Sequence, residues 1–480
     1  MRSSAAGDRR RRRRPAAPRT ASMLVAVVLT ALAVTAPAAP ASAKPLSHEP
    51  FTMGAMPEEI PGAIDEIVPS APYPQLRTIP QRAATPGASH RLQEFRAAVL
   101  PDPTGDPFFD RWAPDLPDRR PGELLAHRSV TAAAAPLVTA PIAEATQIKF
   151  ATRDALDQPA FGTATVLVPR SPWPGTGARP ILVNNLPIDS LGAACTPGMT
   201  LAHGVGIATG ATDFVPPTTQ LALARGYTVI VPDHQGPRMA YAEPTTAGHI
   251  VLDSLRAAGA LDREAYGRSP IAMTGYSGGA IATNGAAALA GSYAPELSDR
   301  MVGAALGGVP ADFQLLVGSM NANLATGLFH AATFGIARER PRMLTMANHA
   351  TEWLATSPLK NVCVIPAALA GGTFLPMQLL ANHPDPFHSP IAEEIYSATR
   401  MSDKKSEVPL YIYQGGQEFW IPAIGARNLY RAQCRLGANA AYREVLGEHA
   451  IAAVTGYPEA LSWLDARLRG SPARSECPRG

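Results

Sequence analysis

The stretch IAMTGYSGGAIAT, residues 271–283, constrains this chain more than any other. Apolar residues of strand character run into Gly275-Tyr276-Ser277-Gly278-Gly279, and the small-residue run GGAIATNGAAALAG follows at helical length. This is the pattern of a strand turning sharply into a helix around G-x-S-x-G. The flanking residues must be glycine because strand and helix backbones nearly touch at such a turn. The serine between them is held in a strained conformation, with its hydroxyl at the carboxyl edge of a sheet. The helix start behind it also favours the negative charge that develops during acyl transfer. A serine in an ordinary glycine-rich loop would need neither the strand before it nor the helix after it.

Short apolar segments elsewhere predict strands at 146–151, 162–168, 180–183, 228–231, 271–273, 302–306, 410–413 and 440–445. Helical patterns fall at 247–258, 278–290 and 458–468. Strands alternating with helices predict an α/β domain with a largely parallel sheet over residues 106–480. The interval 311–405 breaks the alternation with FQLLVGSMNANLATGLFHAATFGIA and CVIPAALAGGTFLPMQLLANH. A structureless loop of that length would be unusual in a compact domain, so the interval is expected to be an inserted helical cap.

The N-terminus predicts export. An arginine block at 9–14, an apolar stretch at 23–34 and Ala41-Ser42-Ala43 are the three parts of a signal peptide over residues 1–43, and the apolar part is too short to span a bilayer. Sec and twin-arginine routes both remain open. Residues 44–105, rich in Pro and Ala, read as an arm or propeptide with a short helix near 91–99. The formal charge of +3 rests on the arginine block, so neither nucleic-acid binding nor acidic disorder is expected. Export lets Cys195, Cys363, Cys434 and Cys477 pair, with three connectivities open. Their spacing lacks the CxxC or Cys/His clustering of structural zinc, and no cofactor is expected.

A serine hydroxyl needs a histidine to accept its proton and a carboxylate to orient that histidine, in the chain order Ser, acid, His for this kind of sheet. His330, His349, His383 and His388 fall in or near the expected cap, whereas His449 follows the last predicted strand in a loop before the final helix. Glu418 is the only carboxylate of QGGQEFWIP, the loop after strand 410–413, with Asp233 and Glu448 as alternatives. A metal-dependent hydrolase could draw on His383, Asp385 and His388 in ANHPDPFHSP, but prolines there prevent the regular helical presentation of H-E-x-x-H sites.

The ordered stretches DPFF, NNLPIDSLGAAC, YTVIVPDHQG, AGHIVLDSLRA, GYSGGAIAT, SYAPEL, VPLYIYQGGQEFWIP, CRLGANAAYREV and GEHAIAAVTGYPEAL resemble the secretory lipase family typified by Candida antarctica lipase A. The resemblance implies an α/β-hydrolase fold with a helical cap over a Ser-Asp-His triad acting on carboxylic esters, acylglycerols included. It implies Ser277 as nucleophile and His449 as base, and it puts Glu418 where the family usually has aspartate. Asp189 in PIDSLGAAC and the amide of Gly278 fall at the family's oxyanion hole. Cys195 would pair with Cys363, and Cys434 with Cys477. The chain ends shortly after Cys477, where the family's type member continues into a flap, so a more open site and weaker interfacial activation are expected. The function expected is that of a secreted serine ester hydrolase whose partner is an ester or lipid substrate. Its cap would meet a lipid interface transiently, and no obligate protein partner is expected. The alternatives are an acyltransferase using the same residues and a hydrolase-fold protein without a competent triad.

Overall fold

The computed structural model describes residues 55–206 and 217–478; the export segment expected at 1–43 lies outside them. Among the described residues nine strands form one sheet: β1 (Leu124–Ser129), β2 (Ile142–Arg153), β3 (Pro159–Pro169), β4 (Ile181–Asn185), β5 (Thr228–Pro232), β6 (Ile271–Tyr276), β7 (Met301–Gly307), β8 (Leu410–Gly415) and β9 (Ala440–Val445). Their order is β1-β2-β3-β5-β4-β6-β7-β8-β9. Pairing is antiparallel from β1 to β5 and parallel from β5 to β9. This is the α/β-hydrolase fold with a largely parallel sheet. β4, β5 and β8 are buried along their whole length, which is why their central stretches ILV, VIV and LYIY carry no polar alternation.

Two apolar layers cover the sheet. One gathers the helices Pro244–Leu261, Gly278–Tyr293 and Ala423–Arg435, and the other gathers Thr218–Ala224 and His449–Leu468. The structure adds β1, a partly exposed edge strand whose LLAHRS has little alternation to find. It also corrects the last helix. The helix begins at His449, not near Pro458, because the Glu448 side chain accepts from the Ala450 and Ile451 amides and so starts it directly after the β9 loop. Pro458 lies inside it.

Between β7 and β8 the chain forms the helices Phe313–Met320, Thr326–Glu339, His349–Thr356, Val364–Leu369 and Pro390–Thr399, joined by short 3-10 turns. Leu191, Tyr241 and Ile281 of the sheet domain pack against Ala331, Ile336, Ala367 and Ile395 of this insertion. The stretch before β1 also packs on it. Its helix His90–Val99 brings Phe95 and Val99 against Ala337, Leu344 and Ala355, and its helix Glu59–Ile67 meets the cap through Asp65, which accepts from the His349 amide. The guanidinium of Arg338, fully buried, joins the pieces. It donates to the carbonyls of Val99, Leu191, Arg238, Met239 and Lys360, so four separate segments end on one side chain.

Candidate active site

β6 ends at Tyr276, and Ser277 takes φ 54° and ψ −122° before the helix starts at Gly278. A Cβ on Gly275 would overlap the carbonyl of Gly279, and one on Gly279 would overlap the carbonyl of Asn185 on β4. The close approach demanded by G-x-S-x-G is therefore present on both sides. The Ser277 amide donates to the carbonyl of Gly307 at 2.9 Å, which fixes the turn to the end of β7.

His449, the first residue of the last helix, reaches Ser277 Oγ through Nε2 at 3.0 Å. Its Nδ1 meets Glu418 Oε2 at 2.7 Å. A carboxylate at Nδ1 places the proton there and leaves Nε2 as the acceptor for the serine hydroxyl. The Glu418 side chain is fully buried, and its Oε1 accepts from the amides of Trp420 at 3.0 Å and Ile421 at 3.2 Å. The extra methylene relative to aspartate is thus taken up by a loop that folds back over the carboxylate.

The other candidates are engaged elsewhere. Asp233 accepts from Thr163 Oγ1 and from the Gly198 amide, and burial pushes its carboxyl up to about 6. Glu448 caps the helix of His449. His349 Nδ1 is bonded to the Val68 carbonyl, and His330 is buried within the cap, with burial pulling it down to about 4. In the 383–388 loop His388 pairs with Asp385, and His383 accepts from the Asp385 amide. Among the described residues no group of three or more His, Cys, Asp or Glu side chains is arranged to hold a metal ion.

Asp189 lies across from the elbow in the left-handed region, φ 44°. A Cβ on Gly278 would overlap its Oδ1, and that buried oxygen has no hydrogen-bond partner among the described residues. Burial pushes its carboxyl up to about 7, against the opposing pull of His449. An acid kept neutral at that point can donate a hydrogen bond where an ionised one could only repel negative charge. The segment after it is tied to the cap. The Leu191 amide donates to the Val362 carbonyl, the Val364 amide to Ser190 Oγ, and a disulfide joins Cys195 to Cys363. A second disulfide joins Cys434 to Cys477.

Ser277, His449 and Asp189 line one cavity of about 970 Å³, whose walls are otherwise almost wholly apolar. Phe313, Leu328, Ile336 and Ile395 of the insertion contribute, as does Trp420 beside the acid. Sequence reading did not single these out, because an apolar residue that faces a substrate reads the same as one that faces the core.

A family model described as secretory lipase matches residues 204–476. The chain is 29% identical over 395 residues to a probable inactive lipase of Mycobacterium tuberculosis, covering 79% of this chain and 86% of that one. It is 28% identical to Lipase 1 of Candida albicans, over 66% and 71% of the two chains, and 28% identical to a secreted triacylglycerol lipase of Malassezia restricta, over 78% and 82%. Among solved structures, Candida antarctica lipase A in its closed state shares the fold with a TM-score of 0.70 at 23% identity, over 79% of this chain and 89% of that one.

Proposed function

The chain belongs to the secretory lipase family, and we propose that it is an active, exported member that hydrolyses carboxylic esters through an acyl-enzyme on Ser277. The observation that carries this is the unbroken run Glu418–His449–Ser277, of which His449 and Ser277 line the apolar cavity. His449 Nε2 takes the Ser277 proton as Oγ attacks the ester carbonyl, and Glu418 stabilises the imidazolium that forms. The oxyanion is met by the Gly278 amide and by the Asp189 carboxyl in its protonated form; preset donors of this kind are typically worth ~3 kcal/mol each. His449 returns the proton to the departing alcohol. It then activates water, which releases the acid and frees Ser277.

The cavity favours a long acyl chain, since nearly all its wall is hydrocarbon. Ile365, which lines the cavity, and Leu369 and Phe374 further along the cap are 67, 75 and 51% exposed, an apolar lip suited to lipid. Export through residues 1–43 agrees with the two disulfides and with the secretory family, and N-terminal sequencing of the secreted protein tests it. The reading as a whole is tested with Ser277→Ala. Turnover of p-nitrophenyl esters and labelling by a fluorophosphonate should both vanish while the melting midpoint holds. Turnover above background in that variant would overturn the assignment.

A further inference from the structure

Two side chains outside the Glu418–His449–Ser277 run grip the backbone around His449. Tyr276, the variable residue of G-x-S-x-G, donates its hydroxyl to the His449 carbonyl at 2.5 Å. Its ring occupies a hollow at the end of β7, where a Cβ on Gly308 would come within 2.7 to 2.9 Å of ring and hydroxyl atoms. Burial raises the phenol above its ordinary range, so it stays a donor at any working pH. From the other side Gln417, the neighbour of the acid, accepts the Gly447 amide on its side-chain Oε1 at 2.6 Å, and its backbone amide donates to the Gly447 carbonyl at 3.2 Å. Gly447 has φ 119°, a conformation open to glycine, and it stands two residues before His449.

Both outer members of the run are fixed independently of the histidine. Ser277 is held by the elbow and the Gly307 carbonyl, and the Glu418 carboxylate by the amides of its own loop. The freedom that remains is where the His449 backbone sits. A misplacement of ~1 Å at such a site costs about 10²-fold in rate. We propose that Tyr276 and Gln417 are positioning residues that set the backbone of His449 between a fixed serine and a fixed, longer acid. The proposal rests on the reading of Glu418, His449 and Ser277 as a working triad.

The test compares Tyr276→Phe, Gln417→Leu and their double variant on p-nitrophenyl butyrate, each also in a Glu418→Gln background. Tyr276→Phe should lower kcat about tenfold and Gln417→Leu about threefold, with KM within about twofold and the melting midpoint held, since effects of misplacement fall on the transition state. In the Glu418→Gln background both losses should shrink, because the groups act through one histidine and are not additive. Unchanged kcat in the single variants would overturn the proposal. So would losses that multiply fully with Glu418→Gln, or losses that track a fall in melting midpoint. Residual turnover in Ser277→Ala would instead overturn the triad reading on which it rests.

Discussion

The two walls of the cavity are built on opposite principles. At the carboxyl edge of the sheet each polar group of the triad has a directed partner: Glu418 has three, His449 bonds through both ring nitrogens, and the Ser277 amide is tied to β7. The cap wall has almost nothing to direct. Residues 313–337 and 362–382 contain no Asp, Glu, Lys or Arg, and Leu369 is left three-quarters exposed. Directed bonds fix atoms to fractions of an ångström, whereas apolar area attracts without orienting. On the proposed function, the first wall would serve chemistry and the second would hold a flexible acyl chain.

That contrast breaks most readily at the acid. Glu418→Gln keeps the shape and removes the charge, and the expected loss in kcat runs up to the ~10⁴-fold seen when a triad aspartate becomes an amide. Retention of more than about a third of wild-type turnover, a loss under ~1 kcal/mol, would show that the sheet edge is less exacting than its bonds imply. Glu418→Asp sharpens the point. The shorter side chain cannot keep both the Trp420 and Ile421 amides and His449, so it should lose about 10²-fold from misplacement alone, although it restores the family's usual residue.

Asp189 comes next, through pH. Its folded value is raised from 3.8 to about 7, so its neutral form, and the stability that burying this form confers, is fully present below about 4 and is lost as pH rises through about 7. If the neutral acid donates to the oxyanion, kcat/KM should fall over the same upper range. Asp189→Asn, which keeps a donor that does not titrate, should flatten that fall. A wild-type profile with no decline between pH 6 and 8 would remove Asp189 from the oxyanion site.

The seam between the walls is the Cys195–Cys363 disulfide. Its 168-residue separation gives ~5 kcal/mol in the chain-entropy picture and Cys434–Cys477 ~4, so Cys195→Ser with Cys363→Ser should lower the melting midpoint more than the other pair does. Thiol titration of denatured, unreduced protein should find none. The smallest effect belongs to the lip. Leu369→Ser should leave a soluble short-chain ester within about twofold. It should cost about tenfold on an emulsified long-chain ester, the worth of one buried leucine at ~1.5 kcal/mol. Equal losses on both substrates would place Leu369 with the chemical wall.

What the sequence made legible follows the same division. The elbow could be read because strand, glycines and helix are contiguous, and His449 because chain order leaves one histidine after the last strand. Glu418 followed as the only carboxylate of its loop. Asp189 could be found only through the family resemblance, since an aspartate with positive φ otherwise reads as a turn former. The helix Glu59–Ile67 was hidden because long-range contacts seat it: Asp65 accepts from the His349 amide, and just beyond the helix Ser70 bonds Glu352. The first turns of the last helix were hidden by Pro458, which reads as a helix start when the cap at Glu448 is not considered.

The buried guanidinium of Arg338 couples the docking of separate segments. Its contact with Val99 spans 239 residues and that with Leu191 spans 147, while burial pulls it down to about 9, a measure of how reluctantly it leaves water. Until the acceptors arrive together, closing the cap would strand an unpaired cation in apolar surroundings, which costs several kcal/mol. Residues 90–99, the Asp189 loop and the cap, which all meet on this side chain, are therefore expected to dock cooperatively, each supplying an acceptor that the guanidinium needs, and the cavity to take shape with that docking.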